Sequence, residues 1–223
     1  IAADRIAGGG IFIRTEEVSD TSALIRVKSH IRNLTETDEQ VKIVHRITGN
    51  GLQHTQFGET CPVSGGGDTE TELTFRMPNP ILWSPETPAL YTLETKLYIG
   101  KRCVDQEQTR FGIREVIITP EGLCLNGETR FLRGVNRHQE YPYIGYALSD
   151  NAQRRDAWKI KQAGFDYVRA SHYPSSPAFL DACDEYGLFV LEPILGWQYF
   201  GDDRFAEHAL RSCREMIRRD RNH

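Results

Sequence analysis

The first half of the chain alternates apolar and polar positions with a period of two, which is typical of β-strands. Turn-forming residues separate the alternating runs at Gly49-Asn50-Gly51, Gly65-Gly66-Gly67 and Gly100-Lys101. Short strands between turns over roughly 100 residues predict an immunoglobulin-like β-sandwich, which we assign to residues 1–118. The apolar faces of three predicted strands are formed by Ile25, Val27 and Ile31; by Val41, Ile43 and Ile47; and by Tyr91, Leu93, Thr95, Leu97 and Ile99.

The pattern changes after Thr119. Asn126-Gly127 is a favoured two-residue turn, and it predicts a hairpin that pairs residues 123–125 with residues 131–133. Beyond it the chain alternates between helices with clear end signals and short apolar strands. These elements are a helix capped by Ser149 that carries Ala157, Ile160 and Ala163 and stops at Gly164; a strand over 165–170; a helix opened by Ser176-Pro177 that carries Phe179, Ala182, Cys183 and Tyr186 and stops at Gly187; a strand over 188–191, apolar enough to be buried on both faces; and a helix from Arg204 to about Arg221 with Phe205, Ala209, Cys213 and Ile217 on one side.

Residues 119–223 therefore predict three consecutive βα units with right-handed connections. A closed barrel of eight such units needs about 250 residues, so three units cannot close one. Two possibilities follow from the sequence: a small open parallel sheet, or an excerpt that stops partway around a larger barrel. An excerpt would leave sheet edges and apolar helix faces without partners.

Composition narrows the class of protein. The formal charge of −4 argues against a binder of nucleic acid or of anionic membranes. No apolar run approaches the roughly 20 residues of a membrane helix, and the N-terminus lacks the pattern of a signal peptide. The five cysteines include no Cys-x-x-Cys pair, and we interpret them as packing thiols.

Polar and aromatic side chains follow the three predicted parallel strands where each strand ends. Active sites and ligand-binding sites lie at the carboxyl ends of parallel strands in barrels and in open α/β sheets. Imidazole, amide and guanidinium groups bind hydroxyls, and aromatic rings cover the apolar faces of sugars, so this set favours a polyhydroxylated ligand. The candidates are Asn136, Arg137 and His138 after the first strand, Arg169 and His172 after the second, and Glu192 and Trp197 after the third.

Structural roles remain open for some of these residues. Arg169 and Glu192 could form an ion pair across the mouth of the sheet, and Trp197 could pack with Tyr199 and Phe200 in a loop. The histidines and Glu192 lack the short spacing of a zinc site. Ser171 lacks the Gly-x-Ser-x-Gly turn of a hydrolase nucleophile.

Five motifs occur in one order between residues 83 and 188. They are Trp83-Ser84-Pro85-Glu86-Thr87-Pro88-x-Leu90-Tyr91; Phe111-Gly112-Ile113-Arg114; Leu125-Asn126-Gly127 with Arg133-Gly134-Val135-Asn136-Arg137-His138; Arg169-x-Ser171-His172-Tyr173-Pro174; and Cys183-Asp184-x-Tyr186-Gly187-Leu188. With these motifs the sequence resembles glycoside hydrolase family 2, and most of all its β-galactosidase branch. The resemblance implies an immunoglobulin-like sandwich followed by the first three units of a catalytic (β/α)8 TIM barrel.

The resemblance also assigns roles. A retaining glycosidase needs two carboxyl groups about 5 Å apart, and the family pattern places both catalytic glutamates beyond His223. We therefore expect this chain by itself to be inactive and to supply residues around the substrate. His138 and His172 would bind sugar hydroxyls, and Arg169 would keep the nucleophile ionised. Asn136 would brace the first strand end, and Glu192 would either bind the sugar or support the residues that bind it. Trp197, from its position after the third strand, is expected to contribute to sugar binding.

The resemblance leaves some features of the enzyme open. Well-known family members bind magnesium through a Glu-x-His segment, where this chain has Gly196-Trp197-Gln198, so we expect no metal or other cofactor. The expected substrate is a terminal β-D-galactoside of an oligosaccharide. The alternatives are a β-glucuronidase or other family 2 β-glycosidase, and a non-catalytic carbohydrate-binding module. We expect no nucleic-acid or membrane partner. The full-length enzyme could form a homo-oligomer. The sequence does not distinguish a cytoplasmic from a periplasmic location in a bacterium.

Overall fold

The structure is a computed structural model, which describes residues 2–3 and 10–223, with side chains from 10–52 and 55–223. The chain divides into two compact units. The first runs to Leu82, continues through 89–115 and includes Asn222. The second comprises 83–88, 116–221 and His223.

The first unit is an antiparallel β-sandwich. In one sheet β3 is central, with β6 on one side and β2 and β1 on the other; the second sheet has the order β5-β4-β7-β8. The predicted glycine turns connect β4 to β5, β5 to β6 and β7 to β8. The strands are β1 (Ala2–Ala3), β2 (Ile11–Glu16), β3 (Ser22–Arg32), β4 (Glu39–Gly49), β5 (Leu52–Val63), β6 (Asp68–Pro78), β7 (Tyr91–Ile99) and β8 (Arg102–Phe111).

Alternate residues of these strands form the core of the sandwich. Ile25 and Val27 of one sheet pack in a single cluster with Ile47 and Leu93 of the other, and all four are fully buried. The predicted inward faces are therefore confirmed, except at Ile99, which lies at the end of β7 and is only partly buried. Tyr91, which a sugar-binding sandwich could have displayed on its surface, is also buried.

A small antiparallel sheet begins the second unit. It consists of β9 (Val116–Thr119), β10 (Gly122–Leu125) and β11 (Glu128–Arg130). The predicted turn is confirmed, with φ of 51° at Asn126 and 83° at Gly127. The predicted partner strand at 131–133 is wrong, because a two-residue turn pairs Leu125 directly with Glu128. The division predicted after residue 118 stays a prediction and falls within β9.

Three βα units follow, as the sequence predicts. They are β12 (Gly134–Arg137) with α1 (Asp150–Gln162), β13 (Tyr167–Ala170) with α2 (Pro177–Tyr186), and β14 (Phe189–Leu191) with α3 (Asp203–Asp220). The strands form a parallel sheet in the order β12-β13-β14. Ser149 and Ser176 cap α1 and α2, and Gly187 ends α2 in the left-handed conformation. Of the helices that the structure describes, none is both long and apolar enough to cross a membrane.

The two faces of the parallel sheet differ. Val135, Val168 and Val190 lie in one register row and pack against the buried core that α1 and α2 share. The adjacent row, with side chains on the opposite face, contains Asn136, Arg169 and Leu191. Burial of the third strand on both faces was therefore a wrong expectation: Phe189 contacts the Trp83 ring and is partly buried, whereas Leu191 on the same face is 49% exposed.

Helix α3 also leaves part of its apolar side exposed. Phe205, Ala209 and Cys213 are partly buried along its predicted apolar side, whereas Ile217 on that side is 57% exposed. None of its residues is fully buried. Incomplete burial of an amphipathic helix and of a parallel edge strand is the pattern expected of an unclosed barrel.

Candidate functional site

The candidate site lies at the carboxyl ends of β12 and β13. His138 follows the last residue of β12, and His172 follows β13 by two residues. The imidazole rings lie edge to face, with 5.3 Å between their centroids and 81° between their planes. Parallel pairing of the two strands brings their carboxyl ends together, which explains why residues 34 positions apart meet.

Trp197 completes an aromatic cluster with these histidines. It lies in the loop after β14, and its ring stacks on His172 with 4.1 Å between centroids and 12° between planes. The indole remains 61% exposed, so its second face is open. Both roles that the sequence left open for Trp197, sugar binding and packing with Tyr199 and Phe200, stay predictions.

Arg169 joins the cluster from the end of β13. Its Nη1 donates to Ser171 Oγ at 3.1 Å, and its Nη2 lies 3.5 Å from His172 Nδ1. A guanidinium only donates hydrogen bonds, so Nδ1 is the acceptor and the neutral imidazole carries its proton on Nε2. The peptide bond between Ser171 and His172 is cis.

The surroundings also determine the charge of His172. Partial desolvation, with further effects of the Arg169 cation and of His138, lowers the pKa of His172 below its ordinary value. His172 is therefore neutral at pH 7. A neutral imidazole offers one N–H donor and one acceptor, which suits recognition of a hydroxyl group.

The other two predicted site residues, Asn136 and Glu192, differ in their position relative to this cluster. Asn136 is exposed on β12, in register with Arg169. Glu192 accepts a hydrogen bond from the Ser175 N–H at 2.7 Å, and the charges that act on its carboxylate are those of Asp220 and Arg219 of α3. The ion pair between Arg169 and Glu192 that the sequence left open is therefore wrong. Burial raises the pKa of Glu192, and the hydrogen bond from Ser175 opposes that shift.

Arg137, which the sequence placed among the candidates, makes structural contacts instead, because its side chain points to the helices. It bonds Asp156 Oδ2 through Nε at 3.0 Å and Nη2 at 2.8 Å, and Gln153 Oε1 at 2.7 Å. Its guanidinium lies 4.0 Å from the centre of the Phe179 ring. The hydroxyl of Tyr141 donates to Asp156 Oδ1 at 2.5 Å. This network fixes the loop that begins with His138.

Sequence reasoning missed this network, although one signal was available. Val135 is the apolar residue of β12 that faces the helices, so Arg137, two positions later, shares that face. An arginine there needs a buried acceptor. Asp156, on the same turn of α1 as the predicted core residue Ala157, was the nearest candidate.

The structure shows no obvious metal centre in the portion of the chain it describes. No group of three or more His, Cys, Asp or Glu side chains among the described residues is placed to hold a metal ion. The cluster of His138, His172, Arg169 and Trp197 instead offers hydrogen-bond donors, a cation and an open aromatic face. Such a set fits a neutral or partly anionic hydroxylated ligand.

Comparisons with known proteins agree with both units. Residues 5–114 match the family model described as Glycosyl hydrolases family 2, and residues 116–223 match the model described as Glycosyl hydrolases family 2, TIM barrel domain.

Among curated proteins, a beta-galactosidase of Thermoanaerobacter pseudethanolicus is 46% identical over 150 residues, which are 66% of this chain and 20% of the relative. A beta-galactosidase of Thermoanaerobacterium thermosulfurigenes is 35% identical over 215 residues, 96% of this chain and 30% of the relative. Among solved structures, a Bacteroides uniformis beta-glucuronidase has a TM-score of 0.90 at 29% identity, and the match covers 100% of this chain and 27% of that one.

The chain thus spans less than a third of each relative. Its sandwich and its three parallel βα units correspond to successive parts of one family architecture. The chain belongs to glycoside hydrolase family 2, and it comprises an immunoglobulin-like domain followed by the start of the TIM-barrel domain.

Proposed function

We propose that this chain supplies part of the sugar-binding site of a retaining β-glycosidase that hydrolyses terminal β-D-galactosides. The observation that carries the proposal is the cluster of His138, His172, Arg169 and Trp197 at the carboxyl ends of the parallel strands. In TIM-barrel enzymes this end of the strands holds the active site.

Each member of the cluster has a distinct task in this proposal. The Nε2–H of neutral His172 donates to a sugar hydroxyl, and His138 bonds a neighbouring hydroxyl. The open face of Trp197 covers the apolar face of the sugar ring. Arg169, held by Ser171 and His172, keeps a nearby carboxylate ionised, as a nucleophile requires.

The two reacting carboxyl groups belong, in this proposal, to barrel units outside this chain. Retention of configuration requires an acid/base and a nucleophile about 5 Å apart. Glu192, the carboxylate predicted from the sequence near this site, is bonded to Ser175. The greater length of the relatives accommodates further units, and the exposed Leu191 and Ile217 offer apolar surface to them.

The preferred sugar is proposed from the relatives. The two curated relatives described above are beta-galactosidases, and they favour a galactoside. The second candidate is a β-D-glucuronide, because a beta-glucuronidase structure superimposes on the whole of this chain with a TM-score of 0.90. A non-catalytic module finds less support, since Trp83 and Tyr91, the aromatic residues considered for it, are buried.

The test is hydrolysis of nitrophenyl β-galactoside, β-glucuronide and β-glucoside by this 223-residue chain and by the full-length protein that contains it. We expect turnover only from the full-length protein, with the galactoside preferred. His172→Ala should lower its kcat/KM about 10- to 100-fold, as the loss of an orienting contact does. Turnover by the short chain would place the carboxylates within it, and preference for the glucuronide would select the second candidate.

A further inference from the structure

The loop between β13 and α2 is held at one residue, Ser175, by side chains from two other elements. Glu192 at the end of β14 accepts from the Ser175 N–H at 2.7 Å. Arg219 of α3 donates to the Ser175 carbonyl at 2.9 Å, and it also forms a bidentate pair with Asp220 at 2.6 and 2.7 Å. Ser175 is 2% exposed, so both of its backbone groups depend on these partners.

This attachment lies three residues after His172. The loop after β14 contains both Glu192 and, five residues later, Trp197, whose ring stacks on His172. The two loops are therefore joined twice, by the hydrogen bond between Ser175 and Glu192 and by the ring stack between His172 and Trp197. These two links and the backbone of residues 172–175 and 192–197 form a closed ring of contacts, which we call the frame. The frame includes the His172 imidazole, which faces the sugar in the proposed function.

Glu192 itself lies on the helix side of the sheet. Leu191 pairs with Arg169 on the opposite face, and the residue after Leu191 therefore turns toward the helices. Its electrostatic neighbours agree with this position, because they are Cys183 of α2 and Arg219 and Asp220 of α3. A carboxylate among these groups is separated from the cluster of His138, His172 and Trp197 by the strand that carries it.

Two buried oxygens of the frame, Glu192 Oε1 and Ser175 Oγ, form no hydrogen bond of ordinary geometry among the described residues. The Ser175 side chain nevertheless acts on the carboxylate, because its hydrogen bonding opposes the rise in the pKa of Glu192. The carboxylate thus uses one oxygen for the loop, and its second oxygen lies in a closed polar site next to a serine hydroxyl. An amide in place of the carboxylate could keep the bond from the Ser175 N–H and donate to Ser175 Oγ.

We propose that Glu192 is a positioning residue: it holds the Ser175 loop in place and thereby fixes His172 against Trp197, without touching the sugar. The importance of this role for hydrolysis rests on the proposed function, whereas the placement of His172 can be measured without any activity. Direct contact between Glu192 and the substrate, one of the two roles that the sequence left open, is the competing explanation.

The first experiment measures the His172 ring by NMR in the 223-residue chain with ¹³C-labelled histidine, using His172→Ala to assign its signal. In the unsubstituted chain we expect the His172 ring protons to be shifted upfield by Trp197. Glu192→Ala should remove at least half of that shift, and Glu192→Gln should preserve it. Glu207→Ala, which removes an exposed carboxylate of α3, is the matched control and should change nothing.

The second experiment measures kcat/KM of the full-length protein in a double-mutant cycle. We expect Glu192→Ala to reduce kcat/KM about 10- to 100-fold, and to reduce it less than about twofold once His172→Ala is present. Glu192→Gln should recover most of the rate. Additive losses would mean that Glu192 acts on the substrate directly and would overturn the proposal.

The two experiments separate the possible failures. An unchanged His172 signal in a folded Glu192→Ala protein overturns the positioning role, whatever the enzyme does. If Glu192→Ala fails to fold, a circular dichroism spectrum will show it. Ser175→Pro, which removes the N–H that Glu192 accepts together with the Ser175 hydroxyl, should then displace the His172 signal, whereas Ser175→Ala, which removes the hydroxyl alone, should leave it in place. An unchanged signal in Ser175→Pro would count against the proposal. A full-length protein that cleaves no glycoside sinks the proposed function and leaves the NMR result to decide the role of Glu192.

Discussion

The indole of Trp197 covers one face of the His172 imidazole, with 4.1 Å between the ring centroids and 12° between the planes. The loop after β14 thereby shields a side chain that the loop after β13 presents. Desolvation is the largest cause of the lowered pKa of His172, so this stack helps to keep the imidazole neutral. A neutral His172 can donate to a hydroxyl group, and it does not repel the Arg169 cation.

Removal of the indole should therefore raise the pKa of His172. Trp197→Ala exposes the imidazole face to water, and we expect its pKa to move up toward the ordinary value for histidine, while Trp197→Phe retains the shift. An NMR pH titration of the His172 ring measures this. Trp158→Ala removes a partly exposed indole of α1 and serves as the control. A pKa of His172 that stays the same in Trp197→Ala would assign the shift to Arg169 and His138 instead.

Breaking the pair between Arg137 and Asp156 should strongly destabilise the second unit. Their side chains are only 6% and 16% exposed, and Arg137→Ala leaves the Asp156 carboxylate without its cation. Removing one partner of a buried ion pair costs about 3–5 kcal/mol. All three tryptophans lie in this unit, so urea denaturation followed by tryptophan fluorescence reports its free energy of unfolding.

The control for this prediction is Arg211→Ala on α3. The Arg211 and Glu215 side chains are 67% and 62% exposed, and an exposed pair of this kind contributes less than about 1 kcal/mol. Equal losses from the two substitutions would contradict a specific role for the buried pair.

Helix ends were predictable from the sequence because their signals are local. Ser176-Pro177 and Gly187 bound α2 in the sequence, and the structure begins and ends the helix at those residues. The proximity of His138 and His172 was also predictable, since neighbouring parallel strands end at the same edge of a sheet. These features need only a short window of sequence or a rule of topology.

Partners that meet through loops and across helices were not predictable. The stack of Trp197 on His172 depends on the path of the loop after β14, which contains no repeating pattern. The sequence predicted Glu192 as a site residue because it follows the end of a strand. Its hydrogen-bond donor is the backbone N–H of Ser175, and a backbone N–H cannot be recognised from the type of side chain. Whether a residue at a strand end faces the ligand or the helices depends on which face of the sheet its side chain occupies. Glu192 occupies the face that lies toward α2 and α3.

The two glycines after α1 and α2 should respond differently to alanine. Gly164 and Gly187 both have positive φ, 85° and 74°, so each substitution incurs the strain of the left-handed conformation, about 1–2 kcal/mol. A Cβ at Gly164 meets open space, whereas one at Gly187 would lie 2.5 Å from the Pro85 carbonyl oxygen. Gly187→Ala should therefore cost at least about 3 kcal/mol and Gly164→Ala only the strain itself.

Urea denaturation followed by tryptophan fluorescence compares the two variants, since both glycines lie in the second unit. A similar loss from Gly164→Ala and Gly187→Ala would show that the backbone near Pro85 moves aside without cost.

The sandwich should lose stability in acid because of His45. This residue is fully buried, its ring nitrogens bond Ser29 Oγ at 3.3 Å and Thr95 Oγ1 at 2.9 Å, and burial lowers its pKa to about 4. The unfolded chain binds the proton near pH 6.5, so between about pH 6.5 and 4 the unfolded state holds more protons than the folded state. The free energy of unfolding should consequently fall by about 3 kcal/mol as the pH drops through this range.

His45→Gln should remove most of this pH dependence, although it also changes stability at pH 7. The difference between wild type and variant across pH 4 to 8 isolates the contribution of His45 from that of the carboxylates. Because the tryptophans lie in the other unit, urea denaturation must be followed through NMR signals of the β4 and β7 amides. His208→Gln, on the exposed surface of α3, should leave the wild-type pH dependence unchanged. If His45→Gln follows the same curve as wild type, His45 is protonated in the folded sandwich at the same pH as in the unfolded chain, and its buried ring must have access to water.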